Sequence, residues 1–109
     1  MNYVDCLPYS LQTKQKLNAL VKLIQESQII PTMIVLFGSY ARAEYKVGSD
    51  LDILILSDDE IPRELRGELC SRFEELNSDL VFYTNDVFYE SNSLLVQQIR
   101  RDGVLLWKN

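Results

Sequence analysis

Two aspartates, Asp50 and Asp52, stand two residues apart in a segment that otherwise contains mainly apolar residues. If this segment is a β-strand, both carboxylates leave the same face of the sheet, while Leu51 and Ile53 point to the other face. Two negative charges held this close are costly unless a proton or a cation lies between them, and clustered oxygen ligands favour a divalent cation. The pair therefore predicts a metal site, and a pair on a solvated sheet edge is the alternative.

A second motif, Gly38-Ser39, follows directly after the apolar run of residues 33–37. Glycine lets the backbone approach an anion closely, and the serine hydroxyl and the N–H groups of a following helical turn can bond phosphate oxygens. The alternative is an ordinary turn that ends a strand. Together with the aspartate pair, the motif predicts a phosphate site beside a metal site.

The apolar pattern predicts the elements that must position these residues. Ser10 is an N-cap for an amphipathic helix over residues 10–27, and residues 62–76 form a helix whose inward positions are Leu65, Leu69, Phe73 and Leu76. Strands are predicted over residues 33–37, 50–56, 79–83 and 104–107, with a helical turn at 40–46 and a last helix from residues 84–86 that carries Leu94, Leu95 and Ile99. The fold class is therefore α/β, with a sheet of three to four strands flanked by helices, in one domain over residues 1–109.

The acidic composition of the chain limits the classes of molecule that it is expected to bind. The chain has 109 residues, a net charge of -5 and a pI of about 4.6, so a duplex nucleic acid is a disfavoured partner. Arg100 with Arg101, or Arg63 with Arg66, could form a local basic patch, but solvated helix faces explain these arginines as well.

The sequence also excludes several kinds of active site. It contains no histidine, and its two cysteines, Cys6 and Cys70, lack CxxC spacing, so neither a Cys/His zinc site nor a histidine-dependent triad is expected. The first residues lack the basic and apolar pattern of a secretion signal, and no apolar run is long enough to span a bilayer. We therefore expect a cytoplasmic protein with reduced thiols and no membrane contact.

Ten residues, 40 to 49, separate Gly38-Ser39 from the Asp-x-Asp pair. This pattern resembles that of the minimal nucleotidyltransferases, which are single-domain members of the DNA polymerase beta-like nucleotidyltransferase superfamily. The resemblance spans most of the chain and is carried by the segments Phe37-Gly38-Ser39-Tyr40-Ala41-Arg42, Ser49-Asp50-Leu51-Asp52-Ile53 and Ile99-Arg100-Arg101-Asp102-Gly103-Val104-Leu105-Leu106. It implies the polymerase beta-like fold with a small mixed sheet.

The resemblance also implies roles for particular residues. Asp50 and Asp52 would bind one or two Mg²⁺ ions, and Asp79 would complete the carboxylate set. The alternative for Asp79 is a purely structural role at the start of its strand, after Asn77-Ser78. Gly38, Ser39, Arg42 and Ser49 would bind the nucleotide, with ATP as donor, although Arg42 could instead form an internal salt bridge. Other acidic residues at element ends, Asp58, Asp59 and Asp86, are better explained by helix capping.

One residue departs from the family pattern. The family often has Arg-Gly where this chain has Arg42-Ala43. Alanine suits this position if the residue is helical and suits it poorly if the backbone requires a positive φ.

The acceptor is also suggested by the resemblance. Similar proteins are antitoxins of HEPN-domain toxins and transfer AMP to a toxin tyrosine, which predicts a protein adenylyltransferase with a HEPN-type partner, in a homo- or hetero-oligomer. One alternative is a binding-only antitoxin subunit that uses exposed aromatic residues such as Tyr83, Phe88, Tyr89 and Trp107, although core packing would also explain these residues. Another alternative is transfer to an RNA 3′ end or to a small-molecule hydroxyl.

Overall fold

The computed structural model describes residues 1–46 and 48–109 and shows a mixed α/β fold. A single 3₁₀ turn at Val4–Cys6 precedes five helices and four strands in this part of the chain. In order, they are α1 (Leu11–Glu26), β1 (Met33–Phe37), α2 (Gly38–Ala41), β2 (Leu51–Ser57), α3 (Arg63–Glu75), β3 (Ser78–Thr84), α4 (Asn85–Glu90), α5 (Leu94–Asp102) and β4 (Val104–Lys108). The predicted fold class is confirmed.

The four strands form one mixed sheet in the order β3-β2-β1-β4. β1 pairs antiparallel with β2 and with β4, whereas β2 pairs parallel with β3. α3 supplies the crossover that a parallel pair requires. The parallel register aligns the first residues of β2 with the first residues of β3, so the two strands begin at the same edge of the sheet.

Helices α1 and α3 cover one face of the sheet. The side chains of Leu51, Ile53 and Ile55 on β2 belong to the same buried cluster as Leu20 of α1 and Phe73 of α3. Their alternation along β2 follows from the period of two in a strand. The opposite face is covered in part by α4 and α5, so both central strands are buried on both sides, as their continuous apolar runs predict.

Three of the five helices in the described ranges begin at a capping side chain, which is Ser10, Thr84 or Ser93. Ser10 accepts a hydrogen bond from the Thr13 backbone N–H, which confirms it as the N-cap of α1. No helix in the described ranges is both long enough and apolar enough to cross a membrane.

Three details of the predicted elements are wrong. The helix expected after residue 84 is two helices, because Ser93 caps a new helix at Leu94, and Leu94 and Leu95 are exposed. Leu76 is 38% exposed because it lies beyond the end of α3, where the chain turns. The predicted turn at 40–46 is instead α2, which starts earlier at Gly38.

The acidic residues assigned to capping also differ from expectation. Thr84 caps α4, with Asp86 in the first turn of that helix. Asp58 accepts a hydrogen bond from the Asn85 side chain at 2.8 Å, and the backbone carbonyl of Asp59 accepts one from Ser57 Oγ. These two residues therefore stabilise loop contacts and not a helix N-terminus.

Candidate active site

Asp52 and Asp79 are direct neighbours in the sheet. They are paired residues in the parallel register of β2 and β3, and their carboxyl groups lie within hydrogen-bonding range of each other. Burial raises the pKa of Asp52 to about 6, and the charge of Asp79, the hydrogen bond with it and the charge of Asp50 act in the same direction. The pKa of Asp52 thus lies above the usual carboxyl range, because its ionisation adds a negative charge to a half-buried site that already carries negative neighbours.

Asp50 lies immediately before β2 and not within it, contrary to the predicted strand boundary. It is exposed, as is Asp79, whereas Asp52 is half-buried between them. Within residues 1–46 and 48–109, no three Asp, Glu or Cys side chains already stand in metal-binding geometry. The structure therefore brings together a close pair of carboxylates, and Asp50 would have to turn toward the pair to become a third ligand.

The chemistry of this donor set suits a divalent cation. Carboxylate oxygens are hard ligands of the kind that Mg²⁺ prefers, and Mg²⁺ commonly binds through one or two carboxylates together with substrate phosphates. Burial and then the negative charges of Asp79 and Asp50 raise the pKa of Asp52, so a bound cation would relieve the repulsion between these carboxylates.

Gly38 lies against this carboxylate pair. The antiparallel register pairs Phe37 of β1 with Asp52 of β2, so the next residue, Gly38, passes beside the Asp52 side chain. Its φ is +75°, and a Cβ at this position would lie 2.1 Å from Asp52 Oδ2. Both the backbone conformation and the close approach require glycine.

Ser39 follows as the second residue of α2 and is half-buried. Its hydroxyl makes no hydrogen bond to the described residues, and no side chain caps α2. Its side chain can therefore bond an oxygen of a ligand held beside Asp52.

The two remaining predicted nucleotide ligands already have protein partners. Arg42 donates from Nε to Glu44 Oε2 at 3.2 Å, and its charge also lowers the pKa of Asp52. Ser49 Oγ accepts a hydrogen bond from the Lys46 backbone N–H at 2.8 Å. Arg42 therefore forms the internal salt bridge that was the alternative to nucleotide binding, and its partner is Glu44. Its guanidinium is still close enough to Asp52 to lower the pKa of that carboxyl.

A cluster of three tyrosines, which was not predicted from the sequence, packs beside the glycine turn. Tyr40 and Tyr45 are stacked with ring centroids 4.2 Å apart, and the edge of Tyr9 packs against both rings. The Tyr9 hydroxyl donates to the Tyr40 carbonyl oxygen at 3.0 Å. Burial, and then the neighbouring Tyr45 and Tyr40, raise the pKa of Tyr9.

Ala43 has φ of +58°, so the position where the family often has glycine is left-handed in this chain. Alanine is strained in this conformation. α2 ends just before this residue, because the chain reverses there toward the loop that leads to Asp50.

Comparisons with known proteins identify the family of the chain. Residues 18–109 match the family model described as polymerase beta, nucleotidyltransferase. The protein adenylyltransferase MntA of Shewanella oneidensis is 30% identical over 91 residues, which cover 83% of this chain and 63% of that protein. The chain thus spans less than two thirds of the length of this relative.

Two solved structures share the fold. One is a toxin–antitoxin with AMP-PNP, at 29% identity and a TM-score of 0.65, where the match covers 85% of this chain and 73% of that one. The other is a tri-AMPylated Shewanella oneidensis HEPN toxin in complex with an MNT antitoxin, at 27% identity and a TM-score of 0.62. That match covers 88% of this chain and 72% of the other chain.

Proposed function

This chain belongs to the polymerase beta nucleotidyltransferase family, and we propose that it transfers AMP from ATP to a hydroxyl group of a partner protein. The family predicted from the Gly-Ser and Asp-x-Asp motifs is thereby confirmed. The observation that carries the proposal is the position of Gly38 against the Asp52–Asp79 pair, because a turn that could bind phosphate then lies beside carboxylates that could bind a cation.

Each residue of the site has a role in this reaction. Asp52 and Asp79, with Asp50 turned toward them, would hold one or two Mg²⁺ ions. Bound Mg²⁺ supplies the positive charge that stabilises the phosphate oxygens during in-line displacement. Gly38 leaves room for the Asp52 carboxylate beside the turn, the Ser39 hydroxyl bonds an oxygen of the triphosphate, and Arg42 and Ser49 are further candidate contacts.

The reaction follows from this arrangement. The acceptor oxygen attacks the α-phosphorus, a new oxygen–phosphorus bond forms, and the bond to the β-phosphate breaks to release pyrophosphate. Asp79 is the exposed member of the close pair and is therefore the group that accepts the hydroxyl proton. This scheme requires no histidine base, which agrees with the absence of histidine from the sequence.

The partner class is suggested by the relatives. The related MntA is named a protein adenylyltransferase, and one structural neighbour is an antitoxin bound to a tri-AMPylated HEPN toxin. We propose that this chain acts as the antitoxin of a HEPN-type toxin in the cytoplasm, where ATP is available, and that the acceptor is a tyrosine of the toxin. The net charge of -5 also favours a protein acceptor over a nucleic acid.

The test is transfer of radioactive label. The chain is incubated with Mg²⁺, α-labelled ATP and a HEPN-domain partner, and the proteins are separated by electrophoresis. Label should appear on the partner with the native chain, should be lost with Asp52→Asn, and should persist with Asp59→Asn, which changes an exposed aspartate outside the site.

The remaining outcomes separate the alternatives. Label that disappears when the acceptor tyrosine of the partner is changed to phenylalanine identifies the residue. If the native chain neutralises and binds the partner without labelling it, the binding-only interpretation replaces the proposed one. Label on added RNA or on a small hydroxyl compound without any partner would identify a different acceptor.

A further inference from the structure

The outer edge of β3 is an unprotected strand edge. β3 pairs only with β2 among the described residues, so its backbone groups on the other side are left without strand partners. Its register with β2 runs without a bulge from Ser78 to Thr84, and the strand contains no proline and one charged residue, Asp79. Long, regular and mainly apolar edges of this kind are templates for pairing with another chain.

The opposite edge of the sheet is covered. The chain start lies along β4, where the Tyr3 N–H donates to the Leu106 carbonyl at 2.8 Å and the Lys108 N–H donates to the Met1 carbonyl at 3.0 Å. The pairing of β1 with β4 also contains an irregularity between Ile34 and Val35. The two edges therefore differ, and only the β3 edge remains open in the part of the chain that the structure describes.

An open cleft adjoins the end of β3. Its volume is about 360 Å³, and its walls combine Ile61 and the strand residues Phe82 and Tyr83 with Val87 of α4. Val87 is 54% exposed, so it presents apolar surface at the mouth of the cleft. A volume of this size accommodates a large apolar side chain or a small ligand.

Arg66 supplies the one basic group that lines this cleft. Its Nε is buried and has no hydrogen-bond partner in the described structure, and no carboxylate of the described residues lies within salt-bridge distance of its guanidinium. Glu60 also lines the cleft but does not pair with it. A buried donor without an acceptor is costly, so a carboxylate bound near Arg66 would be favoured.

We propose that the β3 edge and this cleft form a docking site for an extended segment of a partner protein that ends in an apolar residue with a free carboxylate. The segment adds to the sheet as a further strand, its last side chain enters the cleft, and its carboxylate bonds Arg66. The strand residues of the cleft, Phe82 to Thr84, lie about 10–17 Å along β3 from Asp79 at 3.3 Å per residue. Docking of such a segment requires neither a nucleotide nor nucleotidyl transfer, although the added strand would also run past Asp79 at the start of β3.

The test uses isotope-labelled protein and three probes. The first is the peptide acetyl-Lys-Thr-Val-Thr-Val-Thr-Phe with a free terminal carboxylate, the second is the same peptide with a terminal amide, and the third is 3-phenylpropionate. The readouts are the NMR signal of the Arg66 Nε–H and the hydrogen exchange of the β3 backbone amides. We expect the acid peptide to move the signal, to slow the exchange, and to bind about tenfold tighter than the amide.

Variants separate the parts of the site. Arg66→Gln should remove the preference for the acid, whereas Arg63→Gln changes an exposed arginine on the same helix and should preserve it. Val87→Lys introduces a long side chain at the mouth of the cleft, so it should weaken binding of the acid peptide. Because Val87 is exposed, this variant should still fold.

Three results would overturn the inference. Equal binding of the acid and amide peptides would remove the role of Arg66. Binding of 3-phenylpropionate in the cleft, with the β3 amides left unprotected by either peptide, would identify a small-molecule site. A lack of binding by the acid peptide at millimolar concentration would exclude the docking site.

Discussion

Gly38 and Asp52 are packed so closely that any side chain at residue 38 would collide with the Asp52 carboxylate. A Cβ at Gly38 would lie 2.1 Å from Asp52 Oδ2 and 3.0 Å from its Cγ. β1 and β2 are adjacent antiparallel strands, and the end of β1 lies beside the start of β2. The pairing of these strands therefore holds the two residues together.

Gly38→Ala is therefore expected to destabilise the protein by about 2 kcal/mol or more, since the strain of a left-handed alanine adds to the collision. Gly67→Ala is the matched control, because Gly67 lies within α3 and nothing surrounds its Cβ position. That control should stabilise the helix by about 1 kcal/mol. The two free energies of unfolding from urea titrations should thus change in opposite directions, and a neutral Gly38→Ala would show that the close contact does not exist.

Ala43→Gly is expected to stabilise the protein. Ala43 has φ of +58°, a conformation that costs alanine about 1–2 kcal/mol, and this cost exceeds the extra entropy of glycine in the unfolded chain. The expected gain is about 0.5–1 kcal/mol in the free energy of unfolding. Ala41→Gly, in the helical α2, should instead destabilise, and a loss of stability in both variants would contradict a left-handed Ala43.

Part of the candidate site could be predicted from the sequence, and part of it could not. The glycine before Ser39 and the spacing to Asp50 and Asp52 are visible in the sequence, and the apolar runs predict the strands that carry them. The pairing of Asp52 with Asp79 is not visible, because the parallel register of β2 and β3 depends on contacts across a crossover. Asp79 entered the predicted site only through resemblance to the family.

Two other features were not predicted from the sequence. The Tyr9 hydroxyl reaches the Tyr40 carbonyl across 31 positions of sequence, and no local periodicity indicates such a contact. The interruption between α4 and α5 did leave a signal, since Ser93 stands directly before Leu94 as an N-cap, but the apolar pattern alone favoured one helix.

Tyr9→Phe tests whether the tyrosine cluster stabilises the glycine turn. The variant keeps the ring that packs on Tyr40 and Tyr45 but loses the 3.0 Å hydrogen bond to the Tyr40 carbonyl. We expect a loss of about 1 kcal/mol in unfolding free energy. Tyr89→Phe, at an exposed position, should be neutral, and equal effects of the two variants would exclude a specific role for the Tyr9 hydroxyl.

Asp52→Asn is expected to stabilise the protein above neutral pH when divalent cations are removed. The pKa of Asp52 rises from 3.8 to about 6 on folding, so the folded state binds more protons between these values. The contribution of Asp52 to stability is therefore full below pH 3.8 and is lost as the pH rises through about 6. The shift corresponds to at most about 3 kcal/mol, and solvent screening of this partly exposed group reduces it to about 1 kcal/mol.

The measurement is the difference in unfolding free energy between the native chain and Asp52→Asn, in chelator, at about pH 4 and about pH 7.5. The difference should favour the variant more strongly at the higher pH. A difference that stays constant between the two pH values would show that the carboxylate is not held in the crowded, half-buried position that the structure gives it.

Binding of Mn²⁺, followed by electron paramagnetic resonance in the presence of AMP-PNP, tests most directly whether the carboxylate pair beside the glycine turn holds a cation. Asp52→Asn and Asp79→Asn should each weaken Mn²⁺ binding by at least about tenfold relative to the native chain, and Asp59→Asn should leave it unchanged. If Asp52→Asn and Asp79→Asn bind Mn²⁺ as tightly as the native chain, the cation is held elsewhere and the proposed site is wrong.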